Sequence, residues 1–267
     1  MTRVAGPTLR RLLVRCAVGG LAALAASPAS GGAPVTGRAQ ELHFEPRDLI
    51  AETASDYRAY VERLDAKRLI ERDSPSARRV ERIFRRLLPH AMRLNRESEA
   101  LRWEVVMVRE DAANFALLDG RIFVSARWAQ RGRLTDSELA LLLAHEMAHV
   151  ISNHMLERLS ALAAKDPENR GSIGDLLRES REQWQMVREI APLMRAQEIE
   201  ADRVGAAIAG ASGVPLGQAV RLFDHMARAE ERSFGMAFVN SHDTALRRKA
   251  DLLEWAYSMG WPARARR

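Results

Sequence analysis

Three ionisable residues sit where the sequence would otherwise be buried. Residues 135–158 read TDSELALLLAHEMAHVISNHMLER. Thr135 followed three residues later by Glu138 is a capping box, each side chain satisfying a backbone N–H at a helix start. Beyond it Leu139, Ala140, Leu141, Leu142, Leu143, Ala144, Met147, Ala148, Val150 and Ile151 are apolar on nearly every side, the mark of a central helix. His145, Glu146 and His149 are costly to bury there unless they are paired or bind a metal ion. That conflict is the first pointer to function.

The spacing says what the conflict is for. At about 100° per residue, His145 and His149 lie roughly 40° apart, one turn from each other, so both imidazoles can converge on one ion. Glu146 is displaced enough to miss the ion and reach a water beside it. This H-E-x-x-H arrangement suits two neutral imidazoles on zinc with a carboxylate as general base; the plainer reading is two satisfied helix histidines. A catalytic zinc needs a third protein ligand and one open position. Residues 191–210, APLMRAQEIEADRVGAAIAG, supply a candidate. Pro192 suits a first helical turn, and Glu198 and Asp202 then share a face at i and i+4. Glu198 can complete a His, His, Glu set, while Asp202 can accept the second N–H of a ligand histidine. Glu200 points elsewhere, and Gly205 permits close packing. The plainer reading here is a solvated acidic face, against which Ile199, Ala201, Val204, Ala207 and Ile208 make the segment half buried.

Taken together, His145-Glu146-Met147-Ala148-His149 and Glu198-Ile199-Glu200-Ala201-Asp202 resemble the paired motifs of the HtpX-like zinc metallopeptidases of peptidase family M48. Asn114 to Val124 is similar to the segment that precedes the family's metal helix, and Ser241-His242 with Arg248 resembles its later H-P…R element. The resemblance covers roughly residues 75–258. Leu118-Asp119 stands where the family has Pro-Gly, and Asp243 follows His242 where it has Pro. The resemblance implies a zincin-like domain with one Zn2+ per chain, and an edge strand at Asn114, Phe115 and Ala116 to which an extended substrate adds through backbone hydrogen bonds. An ordinary protected strand is the equal alternative. His242 matches the family's late histidine, placed either to stabilise an oxyanion or to close the open metal position.

Residues 1–29 read as a signal peptide. Arg3, Arg10, Arg11 and Arg15 form a basic region, Cys16 to Ala26 is a short apolar run, and Ser27-Pro28-Ala29 is a small-x-small cleavage pattern. The run is too short to span a bilayer. A periplasmic or secreted location follows as the expectation, with a retained signal anchor second. Without the segment's four arginines the formal net charge of +6 becomes about +2, so the basic balance gives no reason to expect a nucleic-acid partner. The one cysteine, Cys16, lies in this segment, which leaves no disulfide and no cysteine nucleophile behind it. The C-terminal Arg264, Arg266 and Arg267 have the chemistry for peripheral contact with anionic lipid, a frayed tail being the plainer expectation.

Gly, Pro and polar residues over 30–46 read as a linker, and 47–267 as one mainly α domain with a small β-sheet (α+β). Helices are expected from Arg47 to Ile70 and from Ser74, with Pro75 at its first position, to about Arg96; Pro89 should bend or split the second. Arg78, Arg79, Arg82, Arg85 and Arg86 lie opposite Val80, Ile83, Phe84 and Leu87, as on a solvated face. Trp103 to Val108 and Ile122 to Ser125 suggest strands. Lys165 to Gly171, between the two metal helices, reads as an exposed loop with the makings of a lid. His154 is nine residues beyond His145, about half a turn from the metal face of a continuous helix, and reads as structural. His43, His90 and His225 have no partner pattern.

The expectation is a zinc endopeptidase in which Glu146 activates water for attack on unfolded or misassembled envelope proteins, in protein quality control. The rival is a chaperone-like envelope assembly factor with a latched zinc site. A carboxylate-bridged di-iron bundle would need a second Glu-x-x-His beside Glu146-Met147-Ala148-His149, and the sequence has none. Oligomeric state leaves no pattern to read.

Overall fold

The computed structural model of the protein describes residues 29–32, 35–109, 114–165, 188–232 and 244–261. Strands β1 (Ala29–Gly32) and β2 (Ala39–Leu42) pair antiparallel. They lead into helix α1 (Pro46–Ala66), strand β3 (Ile70–Glu71) and helix α2 (Pro75–Leu94). After a short 3-10 turn come β4 (Glu104–Val108), β5 (Phe115–Ala116) and β6 (Arg121–Ser125), followed by α3 (Ala126–Arg131). The rest is helical: α4 (Asp136–Ile151), α5 (His154–Lys165), α6 (Ala191–Ala211), α7 (Leu216–Ala219), α8 (Leu222–Arg232) and α9 (Ala245–Ser258).

Helix α4 is the axis of the fold. Its capping box forms on both sides: the Thr135 hydroxyl accepts from the Glu138 N–H, and a Glu138 carboxylate oxygen accepts from the Thr135 N–H at 2.7 Å. Leu139 to Ala144, Met147, Ala148, Val150 and Ile151 are all buried, because α2, α6, α7 and the sheet surround the helix. Helix α2 begins at the expected cap, with Ser74 Oγ accepting from the Ala77 N–H at 3.0 Å. It then runs unbroken through Pro89, so of the expected bend or split the split does not occur. Burying Val80, Ile83, Phe84 and Leu87 is worth about 1.5–3 kcal/mol each. Together they outweigh the roughly 3 kcal/mol of an internal proline.

The four-stranded sheet has the order β3-β4-β6-β5, with β4 and β6 parallel and β5 antiparallel to β6. Met107, Ile122 and Val124 face the core shared with α2 and α4, while Val106, Val108 and Phe123 pack with Leu64 of α1. Both faces are covered, which explains why these strands look continuously apolar rather than alternating. Strand β5 forms one edge of the sheet and contacts α4.

Two segments differ from expectation. Of the stretch 30–46, residues 40 and 43 are docked rather than free: the Gln40 side chain is buried and donates to the Ser152 carbonyl at 2.8 Å, and the His43 N–H donates to Ser160 Oγ at 2.9 Å. The helix beginning at Asp136 does not continue to Arg158. It stops at Ile151, Asn153 takes a left-handed φ of 56°, and a new helix starts at His154. Residues 159–165 belong to that helix, and residues 166–187, which hold most of the expected loop, lie outside the described residues.

Candidate metal centre

Helices α4 and α6 meet at Gly205, where a Cβ would lie 2.8 Å from the His145 backbone nitrogen and 2.9 Å from its Cα. Only a residue without a side chain allows that approach. Two turns earlier on α6, Glu198 then reaches across to α4. His145 Nε2 and His149 Nε2 are 3.0 Å apart, and they lie 3.5 Å from Glu198 Oε2 and Oε1 respectively. The three side chains place one ligand atom each within 4.8 Å of the others. Two imidazole nitrogens and a carboxylate oxygen aimed at a common point are the donor types zinc takes.

Each imidazole is backed by further groups. His145 Nδ1 lies 2.9 Å from Asp202 Oδ1, and Asp202 is gripped through both oxygens by Arg248, at 2.6 and 2.7 Å. Arg248 also reaches Glu198 at 3.0 Å. His149 Nδ1 lies 2.8 Å from His154 Nδ1, and His154 Nε2 faces Glu200 at 3.4 Å. Burial opposes a charged His145, yet hydrogen bonds to Asp202 and Glu198 outweigh it and lift its pKa to about 10. The pocket therefore favours positive charge at this point, as a cation site must. Burial pushes the His149 pKa well down, which suits a neutral ligand. It also pushes Glu146 up to about 7, with His145 opposing and Glu198 reinforcing. Burial would raise Asp202 too, but Arg248 beside it holds its carboxyl below the usual range.

Residues 74–256 match peptidase family M48. The chain belongs to that family, a family of metallopeptidases. Two curated relatives carry the name mitochondrial metalloendopeptidase OMA1. The one from Schizosaccharomyces pombe is 25% identical over 228 residues, 80% of this chain and 61% of the relative. The one from Saccharomyces cerevisiae is 23% identical over 201 residues, 68% of this chain and 56% of the relative. The chain thus spans about three fifths of the length of the relatives it matches. These relatives are mitochondrial by name and overturn the periplasmic or secreted location expected from residues 1–29. Four arginines without an acidic residue are a composition that export leaders and organelle-targeting segments share, so that expectation rested on a signal that does not discriminate. Residues 1–28 lie outside the described residues. Among the described residues, no helix is long and apolar enough to cross a membrane.

In this M48 domain the structure places His145, His149 and Glu198 in one cluster with Asp202 against His145, and Glu146 lies close enough to His145 and Glu198 to feel their charge. Asn114 accepts from the Ser125 N–H at 2.9 Å, and Phe115 and Ala116 form the edge strand β5. His242, together with Ser241 and Asp243, lies outside the described residues. His154, read from the sequence as structural, touches a predicted ligand instead, because the break at Asn153 resets the helical phase on which that reading relied. Asn is one of the few residues at home with positive φ, and its position ahead of His154 was the available signal. Arg158, 3.5 Å from Glu198, was not singled out at all.

Proposed function

We propose that the chain is a zinc-dependent endopeptidase holding one Zn2+ through His145, His149 and Glu198, with Glu146 as general base. The observation that carries this reading is the convergence of the three donor atoms within 4.8 Å beside a buried carboxylate on the same helix turn. Zinc in such a donor set acidifies a water and polarises the scissile carbonyl. The chain's own residues do the rest. Asp202 accepts from His145 Nδ1 and keeps Nε2 free to act as a ligand. Glu146, buried on the same helix turn as the two histidines, takes one proton from the attacking water while the water oxygen bonds to the carbonyl carbon. As the C–N bond breaks, Glu146 passes that proton to the departing nitrogen. Arg248 offsets the negative charge gathered by Glu198 and Asp202.

The substrate class we propose is unfolded or misfolded polypeptide, presented in extended form. The support is β5, an edge strand packed beside the metal helix, on which an extended chain can continue the sheet through its backbone. The test is cleavage of casein by the wild-type chain and by Glu146→Gln, with zinc measured on both. Cutting by the wild type alone, with about one zinc in each protein, supports the proposal. Zinc in both with cutting by neither contradicts it and favours a binding role.

A further inference from the structure

We infer that His154 and Arg38 are positioning residues for the metal centre: Arg38 holds Glu200 for His154, and His154 fixes the tautomer of His149. The inference rests on the reading of His149 as a ligand through Nε2. A neutral imidazole that offers Nε2 to a metal carries its hydrogen on Nδ1. His149 Nδ1 is 2.8 Å from His154 Nδ1, so His149 donates and His154 accepts. His154 must then carry its own hydrogen on Nε2. That atom is buried without a well-formed partner, and Glu200 Oε2 faces it at 3.4 Å.

Glu200 is itself fixed from the segment ahead of α1. Thr36 donates its hydroxyl to one carboxylate oxygen, and Arg38 Nε donates to the other at 2.6 Å. The remaining Arg38 nitrogens donate to both Glu157 oxygens at 2.6 and 2.7 Å. Glu157 also accepts from Gln197 at 2.7 Å and from Gln40 at 3.1 Å. His154 and Glu200 are both buried, where unsatisfied groups are costly and satisfied ones rigid.

The two ligand imidazoles are thus supported in parallel. His145 leans on Asp202, which Arg248 grips; His149 leans through His154 on Glu200, which Arg38 grips. One arginine comes from α9 and the other from the segment before α1, so the support spans nearly the whole described chain.

Zinc affinity by chelator competition, and the visible spectrum of the cobalt(II)-substituted full chain, test this on wild type, His149→Ala, His154→Phe, His154→Asn and Arg38→Gln. His154→Phe keeps the shape and loses both polar atoms, and is expected to weaken zinc by about 10- to 100-fold. His154→Asn restores an acceptor oxygen near the Nδ1 position and is expected to recover most of that loss. Arg38→Gln should weaken zinc by roughly tenfold and shift the cobalt bands. An Arg38→Gln protein that melts earlier but keeps wild-type affinity and spectrum would mean a purely structural clamp, and overturns the inference for Arg38. Equal affinities for the Phe and Asn variants overturn it for His154. If the wild type takes no metal, or binds no better than His149→Ala, the ligand reading fails and the inference falls with it.

Discussion

Gly205→Ala tests the close backbone approach of α6 to α4. The added Cβ would sit 2.8 Å from His145 N, 2.9 Å from His145 Cα and 3.0 Å from the Ala144 carbonyl carbon. All three are backbone atoms of α4, so no side chain can swing away. Restoring ordinary contact at 3.4 Å requires α6 and α4 to part by about 0.6 Å. Crowding of this kind costs about 1–3 kcal/mol, while alanine returns roughly 1 kcal/mol of helix propensity. The net loss is up to about 2 kcal/mol, or a fall in Tm of up to roughly 8 °C for a domain of this size. Metal binding should suffer more than the fold. Glu198 rides on α6 and the two histidines on α4, whereas metal–ligand distances tolerate only about 0.2 Å. Zinc affinity is expected to drop at least about tenfold, with cleavage of casein falling alongside. Thermal unfolding, chelator competition and a proteolysis assay on one preparation read all three. A variant with wild-type Tm and wild-type zinc affinity would refute the argument that this contact sets the ligand geometry.

Glu146→Gln should keep zinc and lose at least about 100-fold in kcat; equal rates would remove Glu146 from the mechanism. Arg248→Leu strips the cation from two buried carboxylates and should destabilise by about 3–5 kcal/mol, read as a large drop in the denaturant midpoint; a change below about 1 kcal/mol would mean that water reaches Asp202. Burial raises the Glu157 pKa, but hydrogen bonds from Arg38, Gln197 and Gln40 outweigh it and hold it below its ordinary value. Its stabilising effect is therefore present above the ordinary glutamate range and lost as pH falls through the depressed value. Glu157→Gln should be less stable than wild type at pH 7 and lose less on acidification, and parallel stability curves for the two would count against this. Asn153→Val forces a β-branched residue into the left-handed region and should weaken both fold and zinc binding, whereas Asn153→Gly should change little; circular-dichroism melts and zinc competition distinguish the two.

The parts of the site that follow a local period were legible in the sequence. His145 and His149, and Glu198 and Asp202, are each one helical turn apart, and the capping box at Thr135 marks where the first helix begins. Gly205 was legible as a point of close packing, though not as a contact with His145 itself. What could not be read depends on contacts between distant segments. Arg38 meets Glu200 across 162 residues of sequence, and its surroundings look like linker because its partners are elsewhere. His154 was misplaced because one left-handed residue breaks the phase from which helical faces are counted. That Pro89 leaves its helix unsplit could not be read because the burial that overrides it is tertiary.

The reach of Arg248 bears on how the two ligand helices stay together. Glu146, Glu198 and Asp202 place three carboxylates in one buried region, and Arg248 is a cation that touches both Glu198 and Asp202 on α6. A nascent chain carries the two ligand helices before it carries α9. Once both are joined, burying Glu198 and Asp202 without Arg248 would leave Asp202 without its cation and Glu198 with the more distant Arg158, 3.5 Å away, and unpaired buried charge is costly. The two helices that supply the donor atoms are thus held against each other by a residue that neither of them carries.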